Sequence, residues 1–194
     1  MNSKTKELTL NALFIAITVV MAVIPNLGMI HLGAVSITIM HIPVIIAGII
    51  LGMRSAVINS LAFGLSSMFI SATRPTMPLE VFFVNPLVSV IPRLLFGISV
   101  ALIYKLLLKT KLSFALRTAI TAALSTLLHT IFVLTPLYFL IVRSNDIQLI
   151  NSLPGSIFTF LWITLVSNGV LEIIASILIS MPITSALKKV QVEA

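Results

Sequence analysis

The feature that most constrains this chain is a succession of apolar runs almost free of charge, most of them long enough to cross a lipid bilayer. Residues 87–108 carry only Arg93 and Lys105, and residues 114–142 only Arg117. A helix needs about 20 predominantly apolar residues to span the hydrocarbon core. Charged residues are 9% of the 194-residue chain and apolar residues 59%, whereas a soluble domain averages about 25% charged. A soluble fold of this size cannot hide so much apolar side chain. A soluble enzyme, a nucleic-acid-binding module and a disordered chain are therefore excluded, and an integral membrane protein remains.

The runs predict a single all-α membrane domain over residues 1–194 with six transmembrane helices, at about 8–24, 41–53, 55–71, 87–108, 114–142 and 155–187. Pro25, Asn26 and Gly28 close the first. Lys4 and Lys6 ahead of that run imitate a signal peptide. The run is too long for one, however, and ends in Pro25-Asn26 without a small-x-small cleavage site, so it is expected to stay attached as the first span. An even number of spans puts both termini on one side. With them fall Lys4, Lys6, Arg54, Lys105, Lys109, Lys111, Arg117, Lys188 and Lys189, whereas the other side has Arg74 and Arg143. Basic residues crowd cytoplasmic loops, so both termini are expected in the cytoplasm. The net charge of +7 then reports topology rather than nucleic-acid binding. The outer connections, at about 25–40, 72–86 and 143–154, are the longer ones. Long ordered loops often cover binding sites, so a ligand is expected to enter from outside.

Ionisable side chains inside spans are costly and are functional candidates by default. Four qualify: His41, Arg93, His129 and Glu172. Arg93 lies roughly 10 Å deep in its helix at 1.5 Å per residue, too deep to snorkel easily, so it needs a partner. Its planar fork suits a carboxylate or phosphate; an internal pair with Glu172 is the other use. Asn168 and Glu172 share a helical face at i, i+4, and Asn168 suits amides and hydroxyls or another helix. His129 sits mid-span. His41, two residues before Pro43, reads as a helix-start or capping residue. Cysteine is absent, so neither thiolate metal sites nor cysteine nucleophiles are available, and the three histidines are far apart. No metal, cofactor or catalytic site is expected.

Small residues repeat at four-residue spacing: Ala12 and Ala16, Gly48 and Gly52, then Ala56, Ser60 and Gly64. Such faces let helices approach closely, either within the chain or against another membrane protein. No phosphate-binding G-x-x-x-x-G-K-[ST] loop, H-E-x-x-H or G-x-S-x-G motif is present. A small membrane protein with polar residues inside its spans and no motor of its own calls for a partner that supplies energy.

The chain resembles the substrate-binding S components of energy-coupling factor (ECF) vitamin transporters over nearly its whole length. The likeness is carried by Leu10-Asn11-Ala12-Leu13-Phe14-Ile15-Ala16, Ile24-Pro25-Asn26-Leu27-Gly28 and Ser36-Ile37-Thr38-Ile39-Met40-His41-Ile42-Pro43-Val44. It continues in Phe63-Gly64-Leu65-Ser66-Ser67, Arg74-Pro75-Thr76, Asn85 to Leu94 and Asn168-Gly169-Val170-Leu171-Glu172. The His-Ile-Pro-Val, Ile-Pro-Arg and Asn-Gly-x-x-Glu pieces are most similar to the pantothenate subgroup. The resemblance implies a non-enzymatic, multi-pass protein of a prokaryotic plasma membrane that binds a vitamin near its outer face. Helices one to three would dock on a membrane coupling subunit bound to two ATPases, with Ala12 and Ala16 at the family's coupling motif and Gly48, Gly52, Ser60 and Gly64 beside them. Under this resemblance Arg93 would hold the pantothenate carboxylate, and Asn85, His129 and Asn168 its amide and hydroxyls. Glu172 would accept a hydroxyl proton or orient Arg93. Another vitamin or precursor (hydroxymethylpyrimidine, folate, riboflavin), for which Trp162 and Tyr138 offer stacking rings, is the alternative. A partner subunit without a ligand is the other.

Overall fold

The computed structural model describes residues 3–25, 27–32, 35–75, 78–144, 146, 150 and 155–192. The order is α1 (Ser3–Val23), a hairpin of β1 (Met29–Leu32) and β2 (Val35–Thr38), α2 (Ile42–Leu51), α3 (Met53–Thr73), a 3₁₀ turn (Pro78–Val84), α4 (Pro86–Leu107), α5 (Phe114–Ser144) and α6 (Ile157–Val192). The architecture is helical apart from the antiparallel hairpin, which pairs Met29 with Thr38 and Leu32 with Val35.

Five helices are long and apolar enough to cross a membrane: α1, α3, α4, α5 and α6. The expected second span falls short. Where 41–53 is expected, α2 has ten residues, about 15 Å at 1.5 Å per residue, or half of a bilayer core of about 30 Å. Its first turn lies at mid-bundle: His41 stacks on His129, the sixteenth residue of the 31-residue α5. The bounds nearly coincide, but the stretch is too short to cross alone, and Ile37 to Met40 do not lengthen it as helix because the chain is extended up to Thr38. Non-helical backbone at membrane depth is tolerated only inside protein, and His41 to Ile49 are all buried. An all-round apolar helix buried on every side is the matching pattern. Pro43 sits in its first turn, where a missing N–H costs nothing. Gly52, at φ +90°, ends the helix and turns the chain into α3.

α3 and α4 run antiparallel in close contact. A Cβ at Gly97 would collide with the Ser60 side chain, and one at Gly64 would come within 2.9 Å of Val90 Cα. The pairing sets the beginning of α3 beside the end of α4. Leu10 of α1 and Leu187 of α6 join one apolar cluster with Phe14, Ile42 and Ile46, and Lys188 of α6 lies over the Phe114 ring of α5 at 4.2 Å. The start of α1, the α2–α3 and α4–α5 turns and the end of α6 thus share one end of the bundle, hereafter the N-terminal end. The nine basic residues grouped together in the sequence are all at this end.

Polar side chains turn inward. On α5 the buried stripe is Thr118, Thr121, Ser125, Thr126, His129 and Thr130, giving way to Val133, Leu137 and Ile141; on α6 it is Glu172, Ser176, Ser180 and Thr184. Leu124, Leu127, Val170, Ile174 and Leu178 on the opposite faces are exposed, as lipid contact requires. Most hydroxyls bond back to their own helix, as Thr130 does to the Thr126 carbonyl at 3.2 Å. A denser network joins α1 to α3. Asn11 Nδ2 donates to Ser55 Oγ and the Glu7 carbonyl, each at 3.0 Å, and Asn59 Nδ2 donates to Asn11 Oδ1 at 2.8 Å and the Ser55 carbonyl at 2.9 Å.

Candidate functional site

Pro92 and Arg93 form a local unit in α4. Proline has no N–H, so Pro92 leaves the carbonyl of Val88, four residues back, without its helical donor. Arg93 Nη1 donates to that carbonyl. Nη2 reaches Ser67 Oγ of α3 at 3.3 Å, and the guanidinium carbon lies 5.3 Å from the Phe63 ring centroid and 5.2 Å from that of Phe83. Arg93 is 6% exposed, and its Nε is buried without a hydrogen-bond partner. A guanidinium has five N–H donors. Here two bonds go to neutral oxygens and two aromatic faces line the cation, while no carboxylate among the described residues is bonded to it.

Next to it, His129 of α5 is packed among rings. Its imidazole stacks on His41 with centroids 5.7 Å apart and 20° between planes. It is tilted against Phe96 at 5.0 Å and Phe63 at 5.6 Å. Both ring nitrogens of His129 are buried without a hydrogen-bond partner. An imidazole holds a donor and an acceptor in its neutral form, and leaving such groups unmet in a dry interior costs about 1–3 kcal/mol each. His41 occupies the N-cap position of α2, yet its side chain makes no capping bond; the capping expectation is replaced by ring stacking.

Glu172, sixteenth residue of α6, is 6% exposed and accepts from the Thr38 backbone N–H at 2.9 Å. Thr38 is the last residue of β2, immediately before the chain turns into α2. The carboxylate thereby holds a backbone donor at the break between hairpin and helix, where an unpaired N–H would be expensive. Glu172 is within electrostatic reach of Arg93 without being bonded to it, so the expected internal ion pair is not formed as a direct contact.

α2, α3, α4, α5 and α6 thus converge on one buried cluster of Arg93, His129, His41 and Glu172, framed by Phe63, Phe83 and Phe96. The remaining site candidates lie elsewhere or are committed. Asn85 is the N-cap of α4, its Oδ1 accepting from the Leu87 N–H at 2.9 Å. Asn168 lies one turn before Glu172, half-buried, and accepts from the Ser167 hydroxyl at 3.3 Å. Trp162 is 57% exposed and lines a groove of about 460 Å³ between α5 and α6 with Tyr138, Phe139, Phe158 and Leu161. It shares no ring contact with His129 among the described residues.

The small residues divide as well. Gly48 packs against Val100 and Ala56, Ser60 against Gly97, and Gly64 against Val90 and Ser89. Their small size serves contacts inside the chain rather than an outer face. Gly52 makes the α2–α3 turn. Ala12 and Ala16 are exposed on α1, on the side opposite buried Asn11, Phe14 and Thr18.

Sequence reasoning on polar residues did not single out Phe63, Phe83, Phe96, Ser67 or the Thr38 backbone. A signal existed for three of them, since Phe63 and Ser67 bracket one of the segments that carried the family resemblance and Thr38 lies in another. Phe83 and Phe96 are indistinguishable from core aromatics in sequence.

Comparisons with known proteins place the chain in a family. The family model described as "ECF transporter, substrate-specific component" matches residues 6–184. The chain is 32% identical over 188 residues to the pantothenate transporter PanT of Leuconostoc mesenteroides, covering 92% of this chain and 90% of the relative. It is 30% identical over 202 residues to the pantothenic acid transporter PanT of Lactococcus lactis, covering 96% of each.

Proposed function

Because the chain belongs to the family of ECF transporter substrate-specific components, we propose that it binds pantothenate and delivers it across the membrane with a partner module that hydrolyses ATP. The observation that carries this reading is the state of Arg93. A buried cation costs several kcal/mol unless it is paired, and among the described residues this one bonds only neutral oxygens and packs on rings, with Glu172 in electrostatic reach but not bonded to it. A ligand carboxylate supplies the missing charge, in the two-pronged geometry a guanidinium favours. His129 offers its unmet nitrogens to the amide and hydroxyls of the same ligand. Asn168 and Asn85 lie on the elements that flank it, and Glu172 keeps the hairpin–α2 junction in place beside Arg93. The two relatives' names support the choice of vitamin. The rings support it too: Phe63 and Phe83 are already faced by Arg93 and Phe96 by His129, leaving less face for a flat heterocycle such as riboflavin.

In this proposal the chain passes the membrane six times, with the hairpin and α2 together making the second crossing. The N-terminal end faces the cytoplasm of a prokaryotic cell, as the grouping of its basic residues favours. Ala12 and Ala16 on the open face of α1 meet a membrane coupling subunit that carries two ATPases. Titration calorimetry on the purified protein tests the ligand: pantothenate should bind tightly. Its alcohol analogue, with a hydroxymethyl group in place of the carboxylate, should bind about one to two orders of magnitude more weakly. Equal binding of the two would remove the carboxylate role. An Ala12→Trp variant should lose co-purification with the coupling module while keeping pantothenate affinity; if assembly survives, the α1 face is not the docking surface.

A further inference from the structure

The nine cations at the N-terminal end are unevenly spread. On the α1–α3 edge Lys4, Lys6 and Arg54 accompany an acid, Glu7. Six gather where α4, α5 and α6 meet: Lys105 at the end of α4, Lys109 and Lys111 in the turn, Arg117 in the first turn of α5, and Lys188 and Lys189 in α6. No acidic residue lies anywhere from 86 to 144, Glu172 of α6 is buried far up the helix, and Glu193, four residues past Lys189, lies outside the described residues. Among the described residues this edge is therefore purely cationic.

The cluster is also held in shape. The α4–α5 turn is fixed by backbone bonds from the Lys109 N–H to the Leu106 carbonyl at 3.2 Å, from Thr110 to Leu107 at 3.1 Å and from Arg117 to Ser113 at 3.0 Å. The Lys188 ammonium sits 4.2 Å from the Phe114 ring centroid, which ties the end of α6 to the start of α5. Tyr104 and Phe114 pack against one apolar cluster beneath. Lys105, Lys109, Lys111, Lys188 and Lys189 are exposed, and Arg117 keeps a buried Nε without a partner. The general preference of basic residues for one side of a membrane explains their side; it does not explain why two-thirds of them meet on one edge without a counter-charge.

We propose that this edge is a seat for anionic phospholipid headgroups, with the ends of α4, α5 and α6 forming its floor. Clusters of four or more basic residues beside a membrane span attract anionic headgroups, and basic pockets between helix ends hold them. The proposal rests on the chain being a membrane protein and is independent of which vitamin it binds.

Native mass spectrometry of the full chain, after exchange with an equal mixture of phosphatidylglycerol and phosphatidylcholine, reads the preference directly. Wild type should retain phosphatidylglycerol several-fold over phosphatidylcholine, and the preference should shrink as salt is raised. The combined variant Lys105→Gln, Lys109→Gln, Lys111→Gln, Lys188→Gln, Lys189→Gln should lose it while binding pantothenate as before. The control Lys4→Gln, Lys6→Gln, Arg54→Gln should keep it. No preference in wild type, or equal loss in the control, overturns the proposal. So does a five-fold variant that keeps its lipid preference but no longer co-purifies with a coupling module, since the edge would then face a protein. Should that variant fail to fold, the salt series on wild type decides: a preference unmoved by salt overturns an electrostatic seat.

Discussion

Two buried polar clusters in this molecule are built from similar materials and are in opposite states. Between α1 and α3, Asn11, Ser55, Asn59 and Glu7 bond one another, leaving only Asn59 Oδ1 unmet. At the meeting of α2 to α6, Arg93 and His129 are as deeply buried but keep three nitrogens without a partner. A saturated network fastens two helices and has nothing left to offer. An unsaturated one costs stability in the free protein and returns that cost when a ligand with the missing groups arrives. Under the proposed function that difference is what sets the structural joint apart from the ligand site, since both clusters are buried and polar.

Substitutions can break that contrast. The largest effect is expected for Arg93→Ala, which should weaken pantothenate binding by about 2–5 kcal/mol, the usual cost of truncating one side of a buried charged pair. Calorimetry that finds the affinity unchanged would dissolve the distinction between the clusters. Asn59→Ala should do the reverse, lowering thermal stability by about 1–3 kcal/mol because Asn11 Oδ1 loses its donor, with pantothenate affinity retained. His129→Phe sharpens the comparison: replacing unmet nitrogens by carbon should stabilise the ligand-free protein by about 1 kcal/mol yet weaken the ligand. A melting curve paired with a titration would show the two moving in opposite directions. The smallest change is expected for Glu172→Gln, whose amide oxygen still accepts from the Thr38 N–H, so stability should move by less than about 1 kcal/mol. A drop comparable with that of Asn59→Ala would mean that the charge of Glu172, and not its bond to the hairpin, is what matters.

The long spans were legible because twenty apolar residues in a row admit few other fates. The site was half legible. Arg93, His129 and Glu172 stand out as ionisable groups in spans, but what each touches depends on how five helices converge. Pro92 and Arg93 are adjacent in sequence, yet the service Arg93 performs for the Val88 carbonyl depends on the guanidinium folding back along its own helix. The small residues misled for a physical reason: spacing of four marks close approach but not the identity of the approaching helix, and Gly48, Ser60 and Gly64 meet α4 or α3 of the same chain. The hairpin was not legible because Ile37 to Leu51 is uniformly apolar apart from Thr38, His41 and Gly48, and hydropathy carries no record of where extended chain becomes helix.

The shortness of α2 has a consequence for biogenesis. Ten apolar residues cannot settle across a bilayer alone, and the extended backbone before them would expose unpaired amides to lipid. During synthesis, then, α2 has to be carried in with α3, to which Gly52 joins it. In the finished fold its surroundings are completed by α4, α5 and α6, and by the bond from the Thr38 N–H to Glu172. Completion of the fold is in this way tied to the last long helix, and a ribosome that stalls before α6 would leave the centre of the molecule unassembled.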